Sequence, residues 1–215
     1  MDSRQDVRGS QKATRLSLDL KSINASSLYP PSEDTFAIAR VIDSIITWQP
    51  STACDLGCGT GVLSEVLGAR ADYVVAVDIS YAAVAHTRRR LLKRGIVAHD
   101  AVCCDALTAF RPHAFDVVVS NPPYLPSCDG DPRWDGGPTG VEVPLMFVEQ
   151  AALALKQGGI MVVAVSSLSS VSLFERGLRK AKFRVIYTAR AHMGLMEELL
   201  IFILRSSKRD LNYNR

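Results

Sequence analysis

What the chain lacks narrows its chemistry before any motif is read. No stretch approaches the ~20 consecutive apolar residues of a membrane span, and no apolar run near Met1 resembles a signal peptide, so a soluble cytoplasmic protein is expected. The five cysteines, Cys54, Cys58, Cys103, Cys104 and Cys128, are odd in number and form no C-x-x-C pair. Neither a disulfide framework nor a thiolate zinc site is indicated. There is no obvious His–acid pair and no cluster at metal-ligand spacing, so no metal is expected. Net charge is equally small: +3, with an isoelectric point near 8.6, would not by itself hold a polyanion. An aromatic-rich basic groove for a flipped base is missing as well.

What is there suits one α/β domain. The 215 residues are 47% apolar, enough for a single substantial core. The domain is expected over residues 28–207, between flexible tails at 1–27 and 208–215. In the first tail Arg4, Arg8, Lys12, Arg15 and Lys21 alternate with acids and serines, which reads as a solvated segment rather than a basic arm. Tyr29-Pro30-Pro31-Ser32-Glu33-Asp34-Thr35 follows. Two adjacent prolines forbid a helix there, whereas Ser32 can cap one that starts just after it, with Glu33 and Asp34 in the favoured first turn. Capping alone accounts for Ser32 to Asp34. Phe36, Ala37, Ala39, Val41, Ile42, Ile45 and Ile46 supply the apolar face.

Ala53 to Leu56 reads as a strand, Gly57-Cys58-Gly59-Thr60-Gly61 as the turn after it, and Val62 onward as a helix. Glycines spaced by two let the backbone turn tightly and approach a ligand where a Cβ would intrude. A second strand, Tyr73 to Asp78, ends in an acid 17 residues after Gly61. That is the arrangement of a nucleoside-binding βαβ unit, the acid accepting from ribose hydroxyls. The loop lacks the G-x-G-x-x-G spacing that seats a pyrophosphate on a helix N-terminus. Asp55 on the first strand is better placed for a cationic ligand such as the amino group of a methionine moiety. S-adenosylmethionine fits these features; a dinucleotide fits poorly.

Ala82 to Arg94 is a basic helix closed by Gly95. A third strand is expected from Ile96 to Asp105, where Asp105 and Ala106 could meet the adenine amino group. Phe115 to Ser120 is a fourth, stopped by Asn121-Pro122-Pro123-Tyr124, which leaves an amide and a ring at a strand's carboxyl end. The Pro-, Gly- and Asp-rich stretch from Leu125 to Gly140, with Trp134 in its middle, is expected to be a substrate lid. Helices at Val143 to Leu155 and Ser172 to Ala181 surround a strand at Ile160 to Val165, and strands at Phe183 to Ala189 and Glu198 to Leu204 close the chain. This alternation predicts a mostly parallel, doubly covered sheet with an antiparallel edge strand.

With Asp55 to Gly61, Asp78, Asp105 and Asn121 to Tyr124 in hand, the chain resembles the class I S-adenosylmethionine-dependent methyltransferases. The resemblance implies a Rossmann-like sheet of seven strands with helices on both faces. Asn-Pro-Pro-Tyr is shared there by adenine N6 methyltransferases and the HemK-related release-factor glutamine N5-methyltransferases. The segment from Tyr29 to Thr35 is similar to the signature of the short eukaryotic and archaeal branch of the latter, which lacks the N-terminal helical domain of the bacterial enzymes. The resemblance implies a cofactor shell of Thr35, Asp55, Gly57, Gly59, Gly61, Asp78, Asp105, Ala106 and Asn121. It implies that Asn121, Pro122, Pro123 and Tyr124 hold the substrate, with Asn121, Pro122 and Tyr124 catalytic. The implied substrate is the glutamine of the Gly-Gly-Gln motif of a class I peptide chain release factor. Adenine in RNA or DNA, and protein lysine, are the alternatives. A small zinc-binding activator protein is the implied partner, with the third strand as a docking edge.

Overall fold

The computed structural model describes residues 30–194 and 196–207. The expected tails at 1–27 and 208–215 and the signature's Tyr29 lie outside the described residues. The elements follow in the order α1 (Glu33–Ile45), β1 (Thr52–Leu56), α2 (Val62–Gly68), β2 (Tyr73–Asp78), α3 (Tyr81–Lys93), β3 (His99–Cys103), β4 (Phe115–Ser120), α4 (Glu142–Ala154), β5 (Leu155–Ser166), α5 (Val171–Lys180), β6 (Phe183–His192) and β7 (Glu198–Ser206). They build one seven-stranded sheet ordered β3-β2-β1-β4-β5-β7-β6. Strands β1 to β5 are mutually parallel, and β7 runs antiparallel to both β5 and β6. The antiparallel strand therefore lies one place in from the edge.

The central strands are apolar on both sides because both sides are covered. Alternate residues enter two cores: Val118, Met161 and Val163 pack with Val148 of α4 and Phe174 of α5, whereas Val117, Val119 and Val162 pack with Ile38 of α1, Leu67 of α2 and Leu91 of α3. Three consecutive valines in β4 are the sequence trace of this arrangement.

Two local expectations are corrected. The third strand is His99–Cys103, shorter than Ile96 to Asp105. Gly95 at φ +73 ends the α3 segment, and Ile96 turns back with its N–H on Leu91 O, so pairing with β2 begins only at His99. In α1, Phe36 is half exposed, and Ala37, Ile38 and Ile42 form the buried stripe.

The sheet order changes direction between β1 and β4, which pair directly with Asp55 beside Val119. At such a switch point the two following connections leave toward opposite faces and open a crevice at the strands' carboxyl ends. Gly57 follows β1 and Asn121 follows β4, so both sequence motifs are delivered to one crevice.

Candidate active site

The crevice is a cavity of about 550 Å³. Its first half is built on the β1 turn. The N–H groups of Gly57 and Cys58 donate to Val77 O at 2.8 and 2.9 Å, tying the loop to the end of β2. This brings Gly59 N to Asp78 Oδ2 at 2.9 Å, while Ser80 N reaches Asp78 Oδ1 at 2.8 Å. Burial raises the Asp78 carboxyl against those two donors. Each oxygen keeps lone-pair capacity for a hydroxyl.

Gly61 behaves differently from the other loop glycines. It does not line the cavity; at φ +77 it precedes α2, and a Cβ there would meet Thr87 Oγ1 of α3 at 2.7 Å. Its task is helix packing, which corrects its expected place in the cofactor shell. Thr35, Asp55, Gly57, Gly59, Asp78, Asp105, Ala106 and Asn121 do line the cavity.

Asp55 is 1% exposed. Its Oδ2 accepts from Ser64 Oγ at 2.5 Å, but Oδ1 has no partner. Burial pushes the carboxyl up to about 7, opposed by the Ser64 hydrogen bonds. The other unpartnered buried side-chain atom among the described residues is Asn121 Oδ1. A buried acceptor left unmet costs ~1–3 kcal/mol. Two such atoms on the walls of one cavity mark where a ligand supplies the missing donors.

The second half of the site follows β4. Asn121 Nδ2 donates to Asp34 Oδ2 at 2.9 Å, and Tyr124 Oη donates to the same oxygen at 2.9 Å. Ser120 Oγ donates to Leu56 O at 2.7 Å, locking the ends of β4 and β1 together beneath the motif. Ser32 occupies the cap position of α1, but its hydroxyl bonds the Asp34 carboxylate rather than the helix backbone. Thr35 N donates to Asp34 Oδ1 at 2.6 Å. The capping account of this segment is thus overturned: Asp34 is 4% exposed and faces the site. Burial raises its carboxyl, and the hydrogen bonds from Asn121, Ser32, Thr35 and Tyr124 outweigh burial and hold it below the usual carboxylate range.

The 125–140 stretch is folded back on the motif. Leu125 N donates to Trp134 O at 3.0 Å and Gly136 N to Leu125 O at 2.9 Å. Trp134 Nε1 is held by Asp129 Oδ2 at 3.0 Å, and the Arg133 guanidinium, bonded to Asp131, lies 4.5 Å from the indole centroid. Pro132, Arg133, Trp134 and Asp135 line the cavity, as does Glu197 from the β6–β7 connection, whose Oε1 accepts from Ser166 Oγ at 2.7 Å. Asp34, Asp135 and Glu197 were not singled out by sequence reasoning. No group of three metal-ligating side chains occurs among the described residues, and no helix among them is long and apolar enough to cross a membrane.

A mostly parallel sheet in this order, with a glycine turn and acids at the carboxyl ends of β1 and β2, defines the Rossmann-like class of nucleoside-binding folds. The chain belongs to the methyltransferase small domain family, which matches residues 39–189. It is 27% identical over 184 residues to a chain of Methanocaldococcus jannaschii provisionally named a protein N5-glutamine methyltransferase, covering 81% of this chain and 89% of that one. It is 29% identical over 169 residues to the release factor glutamine methyltransferase of Moorella thermoacetica, covering 71% of this chain and 58% of that one. The chain thus spans little more than half the length of that bacterial relative. Among solved structures, the E. cuniculi Mtq2-Trm112 complex, described as responsible for methylation of the eRF1 translation termination factor, matches with a TM-score of 0.67 and 27% identity over 85% of this chain and 99% of that one.

Proposed function

We propose that this chain transfers a methyl group from S-adenosylmethionine to the side-chain amide nitrogen of a glutamine, the one in the Gly-Gly-Gln motif of a class I peptide chain release factor. The observation that carries the reading is the buried, unpartnered Asn121 Oδ1 on the cavity wall. An amide N–H₂ brings the donor that this oxygen lacks.

The residues present fit the cofactor. Asp55 Oδ1 is an unmet acceptor suited to a cationic amino group, Asp78 has lone pairs left for ribose hydroxyls, and Asp105 and Ala106 stand at the end of β3 for the adenine. Thr35, Gly57 and Gly59 complete that wall. When bound, S-adenosylmethionine supplies a methyl group already activated by a sulfonium. The chain's own task is to aim the acceptor. An amide nitrogen is a weak nucleophile because its lone pair is delocalised, so Asn121 Oδ1 and the Pro122 carbonyl hold its two N–H bonds while Pro123 and Tyr124 confine its plane. Orientation and fixed dipoles carry the barrier reduction.

Charge favours protein over nucleic acid. Asp34, Asp135 and Glu197 line the acceptor side, and among the described residues the one cation lining the cavity, Arg133, is paired with Asp131. A phosphate backbone would be repelled. The names of the relatives agree with a release factor, and the two-chain neighbour supports a small activator partner, zinc-binding in this reading, seated on the open edge at β3 where Val97 is 80% exposed.

The test incubates the chain, alone and with such a partner, with methyl-labelled S-adenosylmethionine and either a release factor, tRNA, rRNA or duplex DNA. Label is expected on the release-factor glutamine. Label confined to nucleic acid, or to a protein lysine, would replace the substrate assigned.

A further inference from the structure

We infer that Asp34 is the positioning residue of the acceptor site: by engaging the Asn121 amide N–H₂ and the Tyr124 hydroxyl on one carboxylate oxygen, it presents Asn121 to the substrate as an acceptor only. The inference rests on the reading of Asn121 as the group that meets the substrate amide, and it extends that reading to how the site tells an amide from its isosteric acid.

An asparagine side chain can offer either its oxygen or its N–H₂ to a ligand, since a half-turn exchanges them. Neighbours decide which. A carboxylate has no proton to give, so a neighbour bonded to it must be the donor. Asp34 Oδ2 lies 2.9 Å from Asn121 Nδ2 and 2.9 Å from Tyr124 Oη. A flipped Asn121 would set oxygen against oxygen at 4% exposure, where burial weakens the screening of the repulsion. The flip is closed, and Oδ1 is left buried and unmet on the cavity side.

Asp34 itself is saturated. Its Oδ1 accepts from Thr35 N at 2.6 Å, Thr35 Oγ1 at 3.2 Å and the Ser32 hydroxyl, which with Asn121 and Tyr124 makes five donors for a group with roughly four lone-pair sites. It has no capacity left to bind substrate or to take a proton from it. Asp34 acts through Asn121 and is not a general base.

The consequence is selectivity of a polar kind. A group that brings N–H bonds satisfies Asn121 Oδ1, whereas a glutamate carboxylate of the same shape meets a fixed acceptor. Sites built to hydrogen-bond one group reject the analogue that cannot by large factors, because the buried partner stays unpaired. Asp34→Asn keeps size and removes the constraint, since an amide at 34 can pair with Asn121 in either orientation.

The experiment compares wild type and Asp34→Asn in three measurements. Turnover on the release factor is expected to fall about 10- to 100-fold, the scale of a hydrogen bond to a charged group, with the cofactor Kd from calorimetry unchanged. A release factor carrying glutamate in place of that glutamine is expected to bind wild type weakly and the variant at least about tenfold more tightly, a gain that mere loosening of the fold does not produce. In ¹⁵N–¹H spectra the Asn121 side-chain pair, assigned by its loss in Asn121→Ala, is expected to show a hydrogen-bonded, slowly exchanging proton in wild type that vanishes in the variant. Unchanged turnover, a loss explained by cofactor Kd, or no gain for the glutamate factor would overturn the inference. Should Asp34→Asn fail to fold, Tyr124→Phe removes the other donor on Oδ2 and must shift the Asn121 resonances; unshifted resonances overturn it equally. Wild type that methylates no glutamine while retaining the protected Asn121 proton would sink the substrate reading and support the orientation.

Discussion

Asp55 and Asn121 each keep one buried oxygen without a partner, and their different chemistry predicts different behaviour. Asp55, pushed up to about 7 by burial from an ordinary value of 3.8, binds its proton more tightly folded than unfolded. Its contribution to the stability of the unliganded chain is therefore present at acid pH and is lost as pH rises through about 7. Thermal melts of wild type should fall more between about pH 5 and about pH 8 than those of Asp55→Asn. Cofactor affinity should move oppositely, tightening as the carboxyl ionises to meet a cation, and calorimetry across that range should show the trend flattened in the variant. Asn121→Ala should abolish transfer and leave cofactor Kd within about threefold; Asp78→Ala should weaken cofactor binding by about tenfold or more, the scale of lost charge-assisted bonds. Equal effects of the two on the calorimetric Kd would refute the division of labour. The sequence motif was enough to place Asn121 and Tyr124 at the carboxyl end of β4, where both line the cavity. Asp34 escaped because two acids in a first helical turn are already explained by the dipole. The overlooked signal was its spacing: Ala37 and Ile38, three and four residues on, are buried, so Asp34 stands on the helix's apolar face.

At the scale of elements, the 125–140 stretch, expected as a substrate lid, is folded back on the motif and forms part of the cavity wall. Gly136 packs so closely that a Cβ would meet Tyr124 Cα at 2.8 Å. Gly136→Ala must displace either the wall or the motif; a stability loss of about 1–3 kcal/mol, measured by urea unfolding, and a drop in turnover are expected together. Trp134→Ala should leave cofactor binding intact and raise KM for the acceptor, by about tenfold for one well-placed aromatic contact. An unchanged KM would remove the indole from substrate recognition. Length and composition set the stretch apart from its neighbours, and it lines the cavity with Pro132 to Asp135. Its shape was hidden, because it depends on backbone bonds such as Leu125 to Trp134 that no periodicity encodes. The same holds for β3, whose start is set by the turn at Gly95 and Ile96 rather than by β-propensity.

For the molecule as a whole, much of the stability is carried by core residues that do not line the cavity. Met161 and Phe202 lie in the core with residues of α4 and α5, and neither lines the cavity. Met161→Ala should cost about 2–5 kcal/mol by urea unfolding, with cofactor Kd in the remaining folded protein unaltered. The alternation of strands with helices determined the α/β class, and the continuous apolar runs in the strands determined the two-sided core and the parallel sheet, since a strand buried on both faces has no polar side while a surface helix keeps one at a period of 3.6. The positions of Gly57, Gly59, Asp78 and the Asn121 to Tyr124 motif at strand ends were likewise readable, since each ends or follows a short, largely apolar run. Only the tertiary structure decided that Asp34 meets Asn121 and Tyr124 across 87 and 90 residues, that Gly61 serves packing, and that Asp55 and Asn121 end with one oxygen unmet. Hydrogen bonding between side chains from α1 and the end of β4 depends on where the sheet's switch point sets those elements, and no local pattern carries that distance.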